Sequence, residues 1–216
     1  MTEREGLPPF CAVLGATGSV GTQALDVART QHIPVRLMTA RRDVAGMETR
    51  IRTFHPQTVV MTEEAAAKDL RVRIADTDTR VLAGAEAVCG EIDRLRPPVV
   101  IHAILGEAGL APAFAAVDAG CRVGLANKET VVIAGELLMQ RAAEKGAVIV
   151  PVDSEHSAIF QCLKCGRKEE VRRIWLTASG GTQALLQTYK TDRRTRRKKQ
   201  RQYKASDPAP PARCQN

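Results

Sequence analysis

Residues 10–21 read FCAVLGATGSVG, and the order of residue types in them decides the fold. Phe10–Gly15 is an apolar run of strand length without polar alternation, as a strand buried on both faces requires. A helical pattern follows at once, from about Ser19 to Thr30. Between the two stands Gly15-Ala-Thr-Gly18-Ser-Val-Gly21, spaced G-x-x-G-x-x-G. Glycines at such a turn permit a tight bend and let backbone N–H groups approach a pyrophosphate at the helix N-terminus. Thr17 and Ser19 add hydroxyl donors. The spacing is a variant of the dinucleotide fingerprint; the plainer alternative is a glycine turn that only packs helix on strand.

Outward from this stretch the same alternation repeats. Val35–Thr39, Thr58–Met61, Val81–Ala83, Val99–Ile104, Arg122–Leu125 and Val148–Val152 are strand-like. Helical stretches lie between them, from about Val44 to Phe54, Glu63 to Arg73, Ala85 to Arg94, Ala111 to Ala119 and Thr130 to Lys145. Apolar runs alternating with helices predict an α/β fold: a Rossmann-like parallel sheet with helices on both faces. After Pro151 the character changes. Ser154–Leu163 reads as a helix and Arg172–Thr177 as a first strand of a second sheet, the start of an α+β domain. Thr182–Asn216 lacks apolar periodicity, contains RRTRRKKQR at 193–201 and ends Pro/Ala-rich, and reads as a disordered basic tail. The expected organisation is therefore 8–150, 151–181 and 182–216.

Composition sets limits on function. Of the 216 residues 44% are apolar and 26% charged, which excludes wholesale disorder. The net charge of +8 divides unevenly: residues 1–181 hold 22 basic and 22 acidic side chains, and the last 35 carry the whole excess. A charge-based partner argument thus concerns the tail alone, where a nucleic-acid contact is the lesser alternative to a solvated run. Aromatic residues at 3% argue against the stacking platforms of single-strand binders. No apolar run approaches the ~20 residues of a membrane helix. Met1–Pro9 does not read as a leader, so a soluble cytoplasmic protein is expected. Cys11, Cys89 and Cys121 read as small core residues, and Cys162-x-x-Cys165 lacks a second pair at zinc-site spacing.

Three clusters follow strands, where open α/β sheets place their ligands. Thr39-Ala-Arg41-Arg42-Asp43 sets two guanidiniums where an NAD site usually has an acid, and favours the 2′-phosphate of NADPH. Ala126-Asn127-Lys128-Glu129 follows the sixth strand. Asp153 and Glu155 in PVDSEHS stand two apart, so that in an extended segment both carboxylates face one way and suit Mg²⁺ or Mn²⁺. The alternative for D-S-E-H is a helix N-cap with an acidic first turn.

Taken together, GATGSVG at 15–21, LANKET at 125–130, PVDSEHSAIFQ at 151–161 and LTASGG at 176–181 resemble the 1-deoxy-D-xylulose 5-phosphate reductoisomerases of non-mevalonate isoprenoid biosynthesis. The resemblance spans about residues 8–181. It implies an NADPH- and divalent-metal-dependent enzyme, a homodimer, acting on a sugar phosphate. The substrate skeleton would rearrange to a branched aldehyde, which hydride from NADPH would reduce to 2-C-methyl-D-erythritol 4-phosphate. By the same resemblance, Thr17, Gly18, Ser19 and Val20 line the pyrophosphate, and Arg41, Arg42 and Asp43 replace a Gly-Lys-Asn-like loop at the adenosine phosphate. Asn127 and Glu129 touch the cofactor. Lys128, Ser154, Glu155 and Ser179 touch the substrate, with Lys128 and Glu155 catalytic and Asp153 and Glu155 on the metal.

The resemblance ends at Gly181. The family's Pro-Phe-Arg segment, its loop His and Trp and its third metal carboxylate are not recognisable in Thr182–Asn216. That change reads as a shifted reading frame or a mispredicted gene end, with an evolved basic tail the lesser alternative, and from it weak NADPH binding with little or no turnover is expected. Other NADPH dehydrogenases with a GATG-type loop are the enzymic alternative, but they give no reason for LANKET and PVDSEH.

Overall fold

A computed structural model describes residues 7–175 and the pair 188–189. The strands in chain order are β1 (Cys11–Leu14), β2 (Val35–Ala40), β3 (Thr58–Met61), β4 (Arg80–Ala83), β5 (Val99–His102), β6 (Arg122–Leu125) and β7 (Val148–Pro151). Helices α1 (Ser19–Thr30), α2 (Val44–Phe54), α3 (Glu64–Arg73), α4 (Ala85–Leu95), α5 (Leu110–Asp118) and α6 (Lys128–Lys145) connect them in turn, and α7 (Ser154–Cys162) follows. The seven strands form one sheet in the order β4-β3-β2-β1-β5-β6-β7, and every adjacent pair is parallel. The Rossmann-like expectation is met.

Packing follows from strand direction. Each crossover between parallel strands is right-handed, so connections running outward on opposite sides of β1 place their helices on opposite faces. One core joins Leu25 and Ala28 of α1, Met47 and Ile51 of α2 and Leu70 of α3 to Cys11, Val13 and Met38. The other joins Val88 and Ile92 of α4, Val117 of α5 and Leu138 of α6 to Ala12, Leu14 and Leu37. β1 thus alternates its side chains between two cores, which is why FCAVLG carries no polar position. Each fully buried Leu, Ile or Met contributes about 1.5–3 kcal/mol. At the far edge the buried carboxylate of Glu91 ties α4 to Arg80 of β4 and to its own Arg94.

Most boundaries agree with the sequence to within a residue or two. The clearest departure is β5, which ends at His102 rather than Ile104. Ala103 and Ile104 turn away into a loop that reaches α5 through a 3-10 turn at Glu107–Gly109.

The compact unit extends to Cys165 and includes α7. Within the unit from Gly166 onward, β8 (Ile174–Trp175) pairs antiparallel with β9 (Thr188–Tyr189). The strand expected at 172–177 is therefore present over 174–175, and its last two residues lie outside the described set. The whole of LTASGG, Ser179 included, and nearly all of the basic tail also lie outside the described residues. No helix among the described residues is long and apolar enough to cross a membrane.

Candidate functional site

The sheet reverses its order of growth between β1 and β5, and the carboxyl ends of these two strands open on a cavity of about 670 Å³. Crevices at such reversals are the ligand sites of open α/β sheets. Gly15 ends β1 with φ +79°, and its backbone passes so close to the β5 loop that a Cβ would lie 2.5 Å from the Ala103 carbonyl oxygen. Its N–H donates to the Thr39 hydroxyl at 3.0 Å, and the Ala16 N–H to the Thr39 carbonyl at 2.8 Å. The turn is thereby pinned to β2. Gly18 caps α1 without a side-chain acceptor, and no acid stands in the first turn. The unpaired N–H groups and positive end of α1 are left for an anion.

Thr17, Gly18 and Arg41 line the cavity, as do Thr39, Thr62, Glu86, Cys89, Ala103, Ile104, Leu105 and Pro112. The lining is largely apolar apart from this polar rim, the character of a site that takes a flat organic group. Cys89, expected in the core, is half-buried here. Burial pushes the Cys11 and Cys121 thiols up to about 11, so those two are inert packing residues.

Several candidate residues are placed differently from the expectation. The side chain of Val20 faces an apolar groove with Cys11, Ala24 and Ile101, so only its backbone N–H serves the α1 terminus. Ser19 is exposed and accepts from Gln23 Nε2 at 3.3 Å. Asp43 does not line the cavity: its carboxylate caps α2 through the Gly46 N–H at 2.9 Å. Arg41 pairs with Glu63 at 2.8 Å, whereas Arg42 is exposed and enters no ion pair among the described residues. Of the two guanidiniums, Arg41 is the one that borders the cavity.

Asn127 is buried, and its polar groups are already committed within the fold. Its Oδ1 accepts from the Thr130 N–H at 2.7 Å and caps α6. Its Nδ2 donates to the Ile104 carbonyl at 2.7 Å and the Gly106 carbonyl at 2.8 Å. These bonds tie α6 to the loop lining the cavity. Glu129 is exposed in the first turn of α6, where it favours the helix dipole.

Lys128 follows Asn127 and points to the second cluster. Its Nζ lies 3.4 Å from Glu155 Oε2, and the ammonium also acts on Asp153. Asp153 is not in a simple extended segment with Glu155. It is the N-cap of α7, accepting from the His156 N–H at 2.8 Å, and Glu155 sits in the first helical turn. The cap alternative thus describes the geometry, and it still brings both carboxylates to one ammonium. Partial burial pushes the Asp153 carboxyl up, but the His156 N–H, the His156 ring and Lys128 together hold it below its ordinary value. The Ser154 hydroxyl, the backbone and Lys128 hold Glu155 below the usual carboxylate range. His156 Nδ1 lies 2.9 Å from both Asp153 oxygens. Its place in PVDSEHS was visible in the sequence, but its partner was not.

The donor chemistry fits both groups the sequence points to. Gly15 lets the β1 turn pass against the Ala103 backbone, where a Cβ would collide, and the end of α1 beside it carries no side-chain cap and no acid, which suits a pyrophosphate. Asp153 and Glu155 offer hard oxygens to a hard cation, and Lys128 already places one positive charge against them. No third His, Cys, Asp or Glu joins them among the described residues.

Sequence and structure comparisons agree with this geometry. Residues 11–135 match the family model for 1-deoxy-D-xylulose 5-phosphate reductoisomerase, and residues 149–202 the model for its C-terminal domain. A reductoisomerase of Anaeromyxobacter dehalogenans is 50% identical over 175 residues, covering 79% of this chain and 44% of the relative. One of Desulfitobacterium hafniense is 44% identical over 174 residues, covering 78% and 45%. The Zymomonas mobilis reductoisomerase solved with NADPH superposes with TM-score 0.72 at 36% identity, over 77% of this chain and 44% of that one. A DOX-P reductoisomerase solved with NADPH, fosmidomycin and magnesium gives TM-score 0.67 at 36% identity, over 71% and 38%. The chain spans less than half the length of the relatives it matches.

Proposed function

The chain belongs to the 1-deoxy-D-xylulose 5-phosphate reductoisomerase family, and from that premise we propose that it binds NADPH at the β1–β5 crevice and serves the family's reductive isomerisation. The observation that carries the reading is the convergence of Gly15, the open end of α1 and the β5 loop on one cavity, with Asn127 fastening that loop to the helix that bears Lys128.

When bound, NADPH supplies a hydride and a divalent cation supplies Lewis acidity toward substrate oxygens. The chain's own residues bind and orient. The backbone N–H groups of Ser19 and Val20 would receive the pyrophosphate, with Thr17 and Gly18 lining the cavity beside it. Arg42 pairs with the 2′-phosphate, and Arg41, held by Glu63, borders the adenosine end. Asp153 and Glu155 hold Mg²⁺ or Mn²⁺, Lys128 places positive charge beside the substrate oxygens, and Ser154 donates to the sugar phosphate. Ser179 belongs to the same phosphate site in this reading. The reading carries with it the division at residue 150, a homodimeric assembly and a cytoplasmic setting, all on the strength of the resemblance.

The test is a fluorescence titration of the chain with NADPH and with NADH, repeated on Arg42→Ala. Saturable NADPH binding that Arg42→Ala weakens about tenfold or more, with NADH unaffected, supports the reading. A chain that binds neither nucleotide overturns it.

A further inference from the structure

We propose that His102 is a positioning residue for the cofactor, holding the 103–109 loop in the shape that lines the cavity through its bond to the Gly109 carbonyl. The inference rests on the reading of that cavity as the NADPH site.

His102 is the last residue of β5 and is wholly buried. Its Nε2 lies 2.8 Å from the Gly109 carbonyl oxygen. A carbonyl only accepts, so Nε2 carries the proton and donates. Nδ1 is then a bare acceptor, and it has no partner. A buried ring with one unmet nitrogen is costly, and a Leu or Val would fill a strand end more cheaply. The group is tolerated for what Nε2 does.

Its bond closes the loop. Ala103 is fixed at one end by donating to the Leu14 carbonyl at 2.9 Å. Asn127 holds the Ile104 and Gly106 carbonyls from the side of α6. His102 holds the other end, at Gly109. The two side chains meet there: a Cβ on Gly109 would collide with Asn127 Nδ2 and come within 2.7 Å of His102 Cε1. Ile104 packs against the core, but Leu105 at the loop's crest is 81% exposed, so apolar packing does not fix the loop's far side. Yet Ala103, Ile104, Leu105 and Ala108 all line the cavity, and Ala111 and Pro112 beyond Gly109 line it too. Beyond Ile104, the bonds from Asn127 and His102 set where the loop stands.

The experiment uses the full chain with His102→Leu, which keeps bulk and removes the donor, and His102→Gln, which returns an N–H at similar reach. NADPH affinity and the melting temperature are measured together, below the melt of each variant. The expected result is about tenfold weaker binding in His102→Leu with recovery to within about threefold in His102→Gln. Faster amide exchange across 103–109 should accompany the loss. A folded His102→Leu that binds NADPH like the parent overturns the inference. If that variant does not fold, a folded His102→Gln with tenfold weaker binding also overturns it, and parental affinity supports it. Failure of the parent chain itself to bind NADPH overturns the cofactor reading, and the inference falls with it.

Discussion

The Asn127 side chain donates to the Ile104 carbonyl at 2.7 Å, across twenty-three positions of sequence. This bond joins the helix that carries Lys128 to the loop that lines the nucleotide cavity. Asn127→Leu leaves two carbonyls and the Thr130 N–H without partners and should lower unfolding free energy by about 3 kcal/mol. Asn127→Asp keeps the cap and loses both donors, so urea denaturation should place it between the two.

Gly15→Ala tests the closeness of the two strand ends. The new Cβ meets the Ala103 carbonyl oxygen at 2.5 Å, and φ is +79°. A destabilisation of about 1–2 kcal/mol is expected from the backbone alone. NADPH binding should fall further than that loss predicts, because the β1 turn and the β5 loop must separate. Thermal melts and nucleotide titration on one preparation check both.

Lys128→Met probes the carboxylate pair. Without the ammonium, the Asp153 and Glu155 carboxyls should titrate higher, toward ordinary values, as carboxyl NMR would record. The pair should bind Mn²⁺ about fivefold more tightly at low salt, since a like charge has been removed, with the gain fading at high salt. Electron paramagnetic resonance of Mn²⁺ measures this. Unchanged or weaker binding would place the metal elsewhere.

His102 gives a pH dependence with a definite sign. Burial pushes its pKa below the ordinary 6.5, against the opposing bond to the Gly109 carbonyl. The unfolded chain therefore takes up a proton as pH falls through about 6.5 while the folded chain does not. The stability difference is absent above that pH and grows as the pH drops, until the folded ring is also protonated. Urea midpoints between pH 7.5 and 5.5 should decline in the parent chain and decline less in His102→Gln.

Much of this was legible in the sequence because it depends on local patterns. FCAVLG had to be a strand buried on both faces, and α1, α2, β3 and β6 fall where apolar periodicity places them. Thr17, Gly18, Lys128 and the Asp153–Glu155 pair were likewise visible as motifs. What escaped was set by contacts distant in sequence. VVIHAI reads as six strand residues, and only the Leu14 and Gly109 partners show why the strand stops at His102. Asn127 carries the same letter whether it touches a ligand or ties a loop; its three bonds decide. The Arg41–Glu63 pair, twenty-two positions apart, was likewise not visible in the sequence.

The reversal of strand order between β1 and β5 also fixes when the site can first exist. The glycine turn leaves the ribosome early, but the wall opposite it is made of residues 99–112, which emerge only after three further strands have been synthesised. Until then α1 offers an anion nothing but a helix end in open water. A nucleotide can therefore stabilise the domain only after β5 has inserted beside β1. On the proposed reading it would act as a late seal on the growing sheet and not as a template for its assembly.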